Sequence, residues 1–185
     1  MNGLSRRHII LSGGAVLGLA ACGNGVGGQG GARLDARVDA TRDYVRANFP
    51  GATAEIANAA GVLYMPVVTE AGFGFGGAYG RGALRINDVT VDYYSATQAS
   101  WGLQIGAQQY SHVLVFRTQE ALSKFRAADG WAAGTDIVYA LPDGGAAAGI
   151  ETTTTLSPVV AYVFGQSGFI AGATLNGTKY SRIIP

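Results

Sequence analysis

The chain has 185 residues, enough for one domain with a sizeable core after a leader and a linker are set aside. Charged residues make up 14% of it, with 13 basic against 12 acidic side chains, so it lacks the basic footprint of a nucleic-acid-binding protein. A single cysteine excludes an intrachain disulfide framework, and 29 glycines favour a β-rich fold over a helical one.

The chain begins with the pattern of an export signal. Ser5-Arg6-Arg7 supplies positive charge, and the apolar run from Ile9 to Ala21 is shorter than the roughly 20 residues that a membrane-spanning helix needs. Leu19-Ala20-Ala21-Cys22 then resembles a bacterial lipobox. We therefore expect residues 1–21 to be a cleaved signal peptide and Cys22 to be the acylated, palmitate-bearing N-terminus. The alternative is an ordinary signal peptide followed by a chance cysteine.

Two features of the sequence around the leader bear on the pathway of export and on the membrane to which the protein is finally attached. The run from Ser5 to Ile10 resembles a twin-arginine signal, although Leu11 replaces the usual Lys, and the alternative is general secretion. Gly23 follows the cysteine where retained inner-membrane lipoproteins carry Asp, which favours the periplasmic face of the outer membrane. Two or more acyl chains anchor a protein stably, so we expect the mature protein at a membrane surface.

The segment after the leader divides into a tether and one folded domain. Residues 22–32 form the acylated N-terminus and a Gly-rich, flexible tether, and residues 33–185 form the domain. Arg33 to Asn48 is predicted to be an amphipathic helix that Pro50-Gly51 ends. Its apolar face consists of Leu34, Val38, Thr41 and Val45. A second short helix is predicted from Thr53 to Ala60.

From Gly61 onward the alternation of side chains predicts half-buried strands. The alternating segments are 62–65, which Pro66 closes, and then 72–76, 89–94, 101–106 and 110–116.

The last third of the chain mixes one helix with further strands. A helix is predicted from Thr118, as its N-cap, to Ala128. A strand at 137–140 and a fully apolar, central strand at 159–164 follow. Strands 169–175 and 178–183 close the chain as a hairpin around Asn176-Gly177.

The glycines within these strands indicate bulges, sharp curvature or close approach of backbones. The predicted fold class is therefore α+β. It comprises a mainly antiparallel, strongly coiled or closed barrel-like sheet, with the N-terminal amphipathic helix and one later helix packed outside.

Three separated blocks of the chain resemble the SYLF lipid-binding domain. They comprise residues 60–66, 70–77 and 79–82; then 94–95 and 99–108; and finally 162–164, 167–172 and 175–177. The resemblance covers about Leu34 to Ile183 and implies phospholipid binding without established catalytic chemistry. In eukaryotic members it also implies phosphoinositide preference and actin association. Those members pair the domain with SH3 or FYVE modules, which this sequence lacks, so only general phospholipid binding carries over.

The Gly-rich block supplies the first candidate lipid contacts, namely Gly74, Gly76, Gly77, Arg81 and Arg85. Glycine backbones can approach a headgroup phosphate closely and offer N–H donors, and arginine binds phosphate through two hydrogen bonds. The alternative is that the glycines only bend strands and that the arginines are solvated.

The N-terminal helix supplies the second set of candidates. Arg37 and Tyr44 flank its apolar face, as in helices that lie in a membrane interface. The alternative is that the apolar face packs on the sheet, which the nearly balanced charges of the helix favour.

Catalysis and metal binding have weak support. His112 is the one histidine that remains after cleavage, and Ser95, Ser100 or Ser111 could pair with it, but no Gly-x-Ser-x-Gly pattern is present. Without a second histidine or a free cysteine the usual zinc site is not expected. The acidic residues also lack the spacing of a calcium loop; they are Asp88, Asp92, Asp136 and Asp143. We expect no enzyme activity, no cofactor and no metal.

These observations predict a non-catalytic phospholipid-binding lipoprotein of the bacterial envelope, whose partner is a phospholipid membrane and not a nucleic acid. One alternative is a structural or interaction lipoprotein that binds an envelope protein and contacts lipid only through its acyl chains. Another is a hydrolase that uses His112.

Overall fold

The computed structural model describes residues 29–134, 137–140, 157–165, 175 and 177–185. The predicted signal peptide, Cys22, most of the tether and nearly all of the predicted strand 169–175 lie outside the described residues. The described helices are α1 (Gly30–Asn48), α2 (Pro50–Ala57) and α3 (Gln119–Ala127). The strands are β1 (Gly61–Ile86), β2 (Val89–Phe116), β3 (Trp131–Ala132), β4 (Ile137–Ala140), β5 (Val159–Gly165) and β6 (Lys179–Ile183).

The first two strands are much longer than the sequence pattern predicted. β1 has 26 residues and β2 has 28, and they form one antiparallel hairpin where we expected several short strands. Asn87 and Asp88 make the turn with φ values of 51° and 63°. Tight two-residue hairpin turns favour positive φ at both positions, and Asn and Asp tolerate it best after Gly.

Pro66 does not close a strand, contrary to the prediction. The pairing of β1 with β2 shifts between Met65 and Val68, and Pro66 lies in this irregular stretch. Proline lacks the N–H that a regular ladder requires, so a bulge accommodates it. Ser111 on β2 donates its hydroxyl to the Pro66 carbonyl at 2.6 Å.

β1 folds back so that its two halves touch. A Cβ built on Gly80 would lie 2.7 Å from Val68 Cγ2 and 2.8 Å from the Val67 carbonyl oxygen. A Cβ on Gly82 would overlap the Tyr64 carbonyl oxygen and the Met65 sulfur. These two positions therefore require glycine, and their contacts give the sheet its strong curvature.

β2 is the strand on which the rest of the sheet is built. One side of it pairs with β1, while the other side pairs with β6 at residues 93–97 and with β5 at residues 110–116. Within the described residues the order is β3-β6-β2-β5-β4, with β1 added to β2, and only β4 and β5 are parallel. This mainly antiparallel half-barrel with three helices confirms the predicted α+β class.

Helices cover the sheet on both faces. One face packs against Leu122 and Phe125 of α3, and the opposite face packs against Val38 and Val45 of α1. All four predicted apolar positions of α1 are buried, and every residue of β5 is buried, as expected for a central strand. Thr118 caps α3 by accepting the Ala121 N–H at 3.2 Å, as predicted.

Helix boundaries differ from the prediction, most of all in α2, which covers Pro50–Ala57 where a helix from Thr53 to Ala60 was predicted. α1 begins at Gly30, three residues earlier than expected, although it ends at Asn48 as predicted. Pro50 starts α2 immediately afterwards, because proline is well suited to the first turn of a helix. None of the described helices is both long and apolar enough to cross a bilayer.

Candidate functional site

One face of the long hairpin presents large aromatic side chains to solvent. Phe75 is 71% exposed and Tyr79 is 54% exposed, whereas Ala78 between them is buried. Arg81 follows on the same face and is half-buried. Residues two apart on a strand share a face, and the pairing of β1 with β2 is regular from Phe75 to Leu84, so Phe75, Tyr79 and Arg81 lie on one face.

We call this surface the outward ribbon face. It comprises Phe75, Gly77, Tyr79 and Arg81 on β1 with Thr97 and Ala99 opposite them on β2. Gly77, Thr97 and Ala99 are also exposed. Further along the same face, Ala83 is fully buried in the cluster that α1 completes. The exposed aromatic row therefore lies beyond the part of the ribbon that α1 packs against.

The predicted glycines lie at the bend of β1. A Cβ on Gly72 would be 2.6 Å from Gly76 Cα, so the backbone turns back on itself there. Gly74 lies within the shift of pairing between Phe73 and Phe75, and Gly76 and Gly77 lie opposite Ser100 and Ala99 in the ladder. These positions favour the interpretation that the glycines shape the strand.

Arg85 occupies a different environment from Arg81. Its side chain is 7% exposed and its Nη1 lies 2.6 Å from Asp39 Oδ1 on α1. The hydrogen bond from Arg85 is the main cause that lowers the pKa of Asp39 below its usual value. Arg85 therefore holds the helix to the sheet, and its guanidinium does not lie on the surface where we expected it.

The two candidates on α1, Arg37 and Tyr44, have different surroundings. Arg37 is exposed and, within the described residues, its guanidinium forms no hydrogen bond or ion pair, although its backbone carbonyl accepts from the Thr41 hydroxyl at 2.9 Å. Tyr44 is 38% exposed, and its ring packs 5.7 Å from both Phe49 and Phe164, measured between centroids. Tyr44 therefore belongs to an aromatic cluster between the end of α1 and β5.

His112 lies in the interior of the half-barrel. It is fully buried, its Nε2 lies 2.8 Å from the Tyr180 hydroxyl oxygen, and burial lowers its pKa to about 3. Ser95 bonds to the Ser181 carbonyl and Ser111 to the Pro66 carbonyl. Among the side chains that the structure describes, His112 thus contacts the Tyr180 hydroxyl, and neither Ser95 nor Ser111 is its hydrogen-bond partner.

No group of three potential metal ligands lies together in the described part of the chain. Asp88 and Asp92, two of the acidic residues considered above, are bound by arginines. Asp88 accepts from Arg46 at 2.8 Å, and Asp92 accepts from Arg126 at 3.0 Å. Asp136 and Asp143 lie outside the described residues.

Residues 97–182 match the family model of Ysc84, described as Las17-binding protein actin regulator. This segment is a SYLF domain. No curated protein matches the chain. The matched SYLF segment begins within β2 and ends within β6, so it contains α3, β3, β4 and β5 together with parts of β2 and β6. The first of the three resembling blocks lies before the match and stays a prediction.

The SYLF segment and the outward ribbon face adjoin each other. Thr97 and Ala99 are inside the matched segment, whereas Phe75, Tyr79 and Arg81 pair with β2 from outside it. Phe75 and Tyr79 were not among the predicted site residues. Their even spacing from Arg81 along the chain predicts that they share a face of a strand, but only the structure shows that this face is exposed.

Proposed function

We propose that this chain is a non-catalytic phospholipid-binding lipoprotein of the bacterial cell envelope. The SYLF match over residues 97–182 is the observation that carries the proposal, because the family resemblance implies phospholipid binding. The export leader and the lipobox-like run before Cys22 support attachment at a membrane. The placement of His112, buried against Tyr180, supports a role in packing.

A protein-interaction role is the second candidate. The printed description of the matching family names binding to another protein and regulation of actin. In a bacterial envelope the corresponding role would be binding to an envelope protein, with the acyl chains of Cys22 as the sole lipid contact. The two candidates differ in whether the folded domain itself binds lipid.

The decisive experiment separates the domain from its anchor. We would express the chain from residue 22 with Cys22→Ser, which retains every described residue but carries no acyl chain. Co-sedimentation with vesicles of phosphatidylcholine alone, and of phosphatidylcholine with phosphatidylglycerol in equal parts, measures its lipid binding at low and high salt. Binding is expected to the acidic vesicles, and its absence from both would favour the interaction lipoprotein.

The anchor requires its own test. In cells, Cys22→Ala in the full chain is expected to release the protein from the membrane fraction after a high-salt wash. Ser12→Ala, a matched change within the leader that keeps the cysteine, is expected to leave it there. Unchanged retention of the Cys22→Ala protein would contradict acylation.

A further inference from the structure

We propose that the outward ribbon face is the surface by which the folded domain contacts a membrane containing acidic phospholipid. In this arrangement Phe75 and Tyr79 enter the interfacial region and Arg81 binds a headgroup phosphate. The proposal rests on the proposed lipid-binding function and specifies which residues carry it.

The exposure pattern along β1 is the first support. Phe75, Gly77 and Tyr79 are exposed, whereas Ala78 and Gly80 are buried. Phe75 is the most exposed of the large apolar side chains that the structure describes. Aromatic rings of this kind, including tyrosine with its polar end, are enriched where proteins meet the membrane interface.

Charge is the second support. The two strand segments that form the face, residues 75–81 and 95–99, contain no acidic residue. Arg81 is half-buried and its guanidinium forms no hydrogen bond or ion pair within the described residues, in contrast to Arg85 with its Asp39 partner. A guanidinium without an acidic neighbour matches a phosphate group, which it can bind through two hydrogen bonds.

The size of the apolar surface favours a membrane over a second copy of the chain. Two aromatic side chains bury at most about 500 Å². A stable protein interface buries about 800 Å² on each partner, with a packed apolar centre. Shallow insertion into a membrane requires less, because a few apolar side chains and one cationic contact suffice for reversible binding.

The spacing of the three side chains indicates how the face would lie. At about 3.3 Å per residue, Phe75 and Tyr79 are roughly 13 Å apart along the strand, and Tyr79 and Arg81 are roughly 7 Å apart. That row is longer than the about 5–10 Å depth to which interfacial elements insert. The ribbon therefore lies along the membrane surface, so that all three side chains reach it together.

The test uses the chain from residue 22 with Cys22→Ser and vesicles of phosphatidylcholine and phosphatidylglycerol in equal parts. The variant Phe75→Ser with Tyr79→Ser is expected to lower the partition coefficient at least about tenfold, because two aromatic side chains leave the interface. Val89→Ser is the matched control, since Val89 is 63% exposed at the turn end of the same hairpin. It is expected to change the partition coefficient less than twofold.

A second measurement locates the inserted residue directly. With Cys22 replaced, Tyr79→Cys and Val89→Cys each provide a single cysteine for an environment-sensitive fluorophore. Addition of the same vesicles is expected to blue-shift the label at position 79 and not the label at position 89. Circular dichroism and the melting temperature verify that each variant is folded.

The outcomes separate the two proposals. The parent chain here is the chain from residue 22 with Cys22→Ser, and the double variant adds Phe75→Ser and Tyr79→Ser. If the parent chain binds the vesicles and the double variant binds equally well, the outward ribbon face is not the contact and the lipid-binding function stands. If the parent chain binds no vesicles, both proposals fail. If the parent chain sediments as a dimer in solution and the double variant as a monomer, the face joins two copies of the chain, which overturns the membrane assignment.

Discussion

Arg85 Nη1 lies 2.6 Å from Asp39 Oδ1, and this contact joins the second half of β1 to the middle of α1. It is one of several polar contacts that join α1 to the hairpin. Asp35, near the start of α1, accepts hydrogen bonds from Thr90 and Tyr93 at 2.8 Å each. Arg46, near its end, donates to Asp88 in the hairpin turn at 2.8 Å. Much of the polar surface of α1 is thus bound to the hairpin, so α1 is a structural element of the domain.

In the Arg85–Asp39 pair, removal of Asp39 is expected to lower the free energy of unfolding more than removal of Arg85. Asp39→Ala leaves a buried guanidinium without its carboxylate, which costs about 1–3 kcal/mol of the free energy of unfolding. Arg85→Met removes the buried charge and keeps most of the packing volume, so its cost is expected to be smaller. Urea unfolding of both variants measures the difference, and a larger cost for Arg85→Met would contradict this account.

His112 predicts a loss of stability in mild acid. Burial lowers the pKa of His112 from 6.5 to about 3, so between these values the unfolded chain binds a proton that the folded chain does not. Stability therefore falls as the pH falls through this window, by about 2 kcal/mol between pH 7 and pH 5. His112→Gln is expected to remove this part of the pH dependence. Urea titrations at the two pH values test it, and an identical pH dependence in both proteins would disprove the assignment.

Replacing Gly82 with alanine, which adds only a methyl group, is expected to lower the free energy of unfolding. Gly82→Ala places a methyl group against the Tyr64 carbonyl and the Met65 sulfur, and the backbone atom cannot move aside as a side chain could. We expect a cost of about 1–3 kcal/mol. Gly51→Ala is the control, because a Cβ at Gly51 meets no atom within 4 Å and alanine favours the helix. Thermal melts should show opposite shifts for the two variants, and equal shifts would refute the close-contact argument.

Substitutions of Arg81 and Arg37 test whether the hairpin or α1 supplies the electrostatic attraction in the proposed lipid binding. Arg81→Gln is expected to weaken binding to acidic vesicles and to reduce its salt dependence, because a phosphate contact is lost. Arg37→Gln removes an exposed charge from α1 and is expected to have the smaller effect. Vesicle co-sedimentation across a salt series measures both, and a dominant effect of Arg37→Gln would place the contact on the helix.

The helices and strands that were predicted correctly are those whose sequence patterns involve residues close together in the chain. The buried face of α1 follows from helical spacing, the central position of β5 from its continuous apolar run, and the N-cap of α3 from Thr118. The Asn87-Asp88 turn carried a usable signal between Ile86 and Val89, which the sequence analysis overlooked.

The remaining features depend on contacts between distant residues. Arg85 resembles a surface arginine in sequence, and its burial depends on Asp39, 46 residues away. The long strand β1 looked like several short ones because its glycines and Pro66 interrupt the alternation without ending the pairing. Tertiary contacts likewise decide which face of the ribbon is covered by α1. The exposure of Phe75 and Tyr79 therefore could not be derived from their spacing alone.

The position of β2 at the centre of three ladders has a consequence for how the protein folds. Tyr93 pairs with Ile183, so that part of the sheet closes only after residues far along the chain have become available. Folds dominated by such distant pairings form slowly, because the chain must close large loops before the contacts stabilise it. A chain still being synthesised therefore keeps an open strand edge at residues 93–97, which makes protection from premature pairing a requirement of its folding.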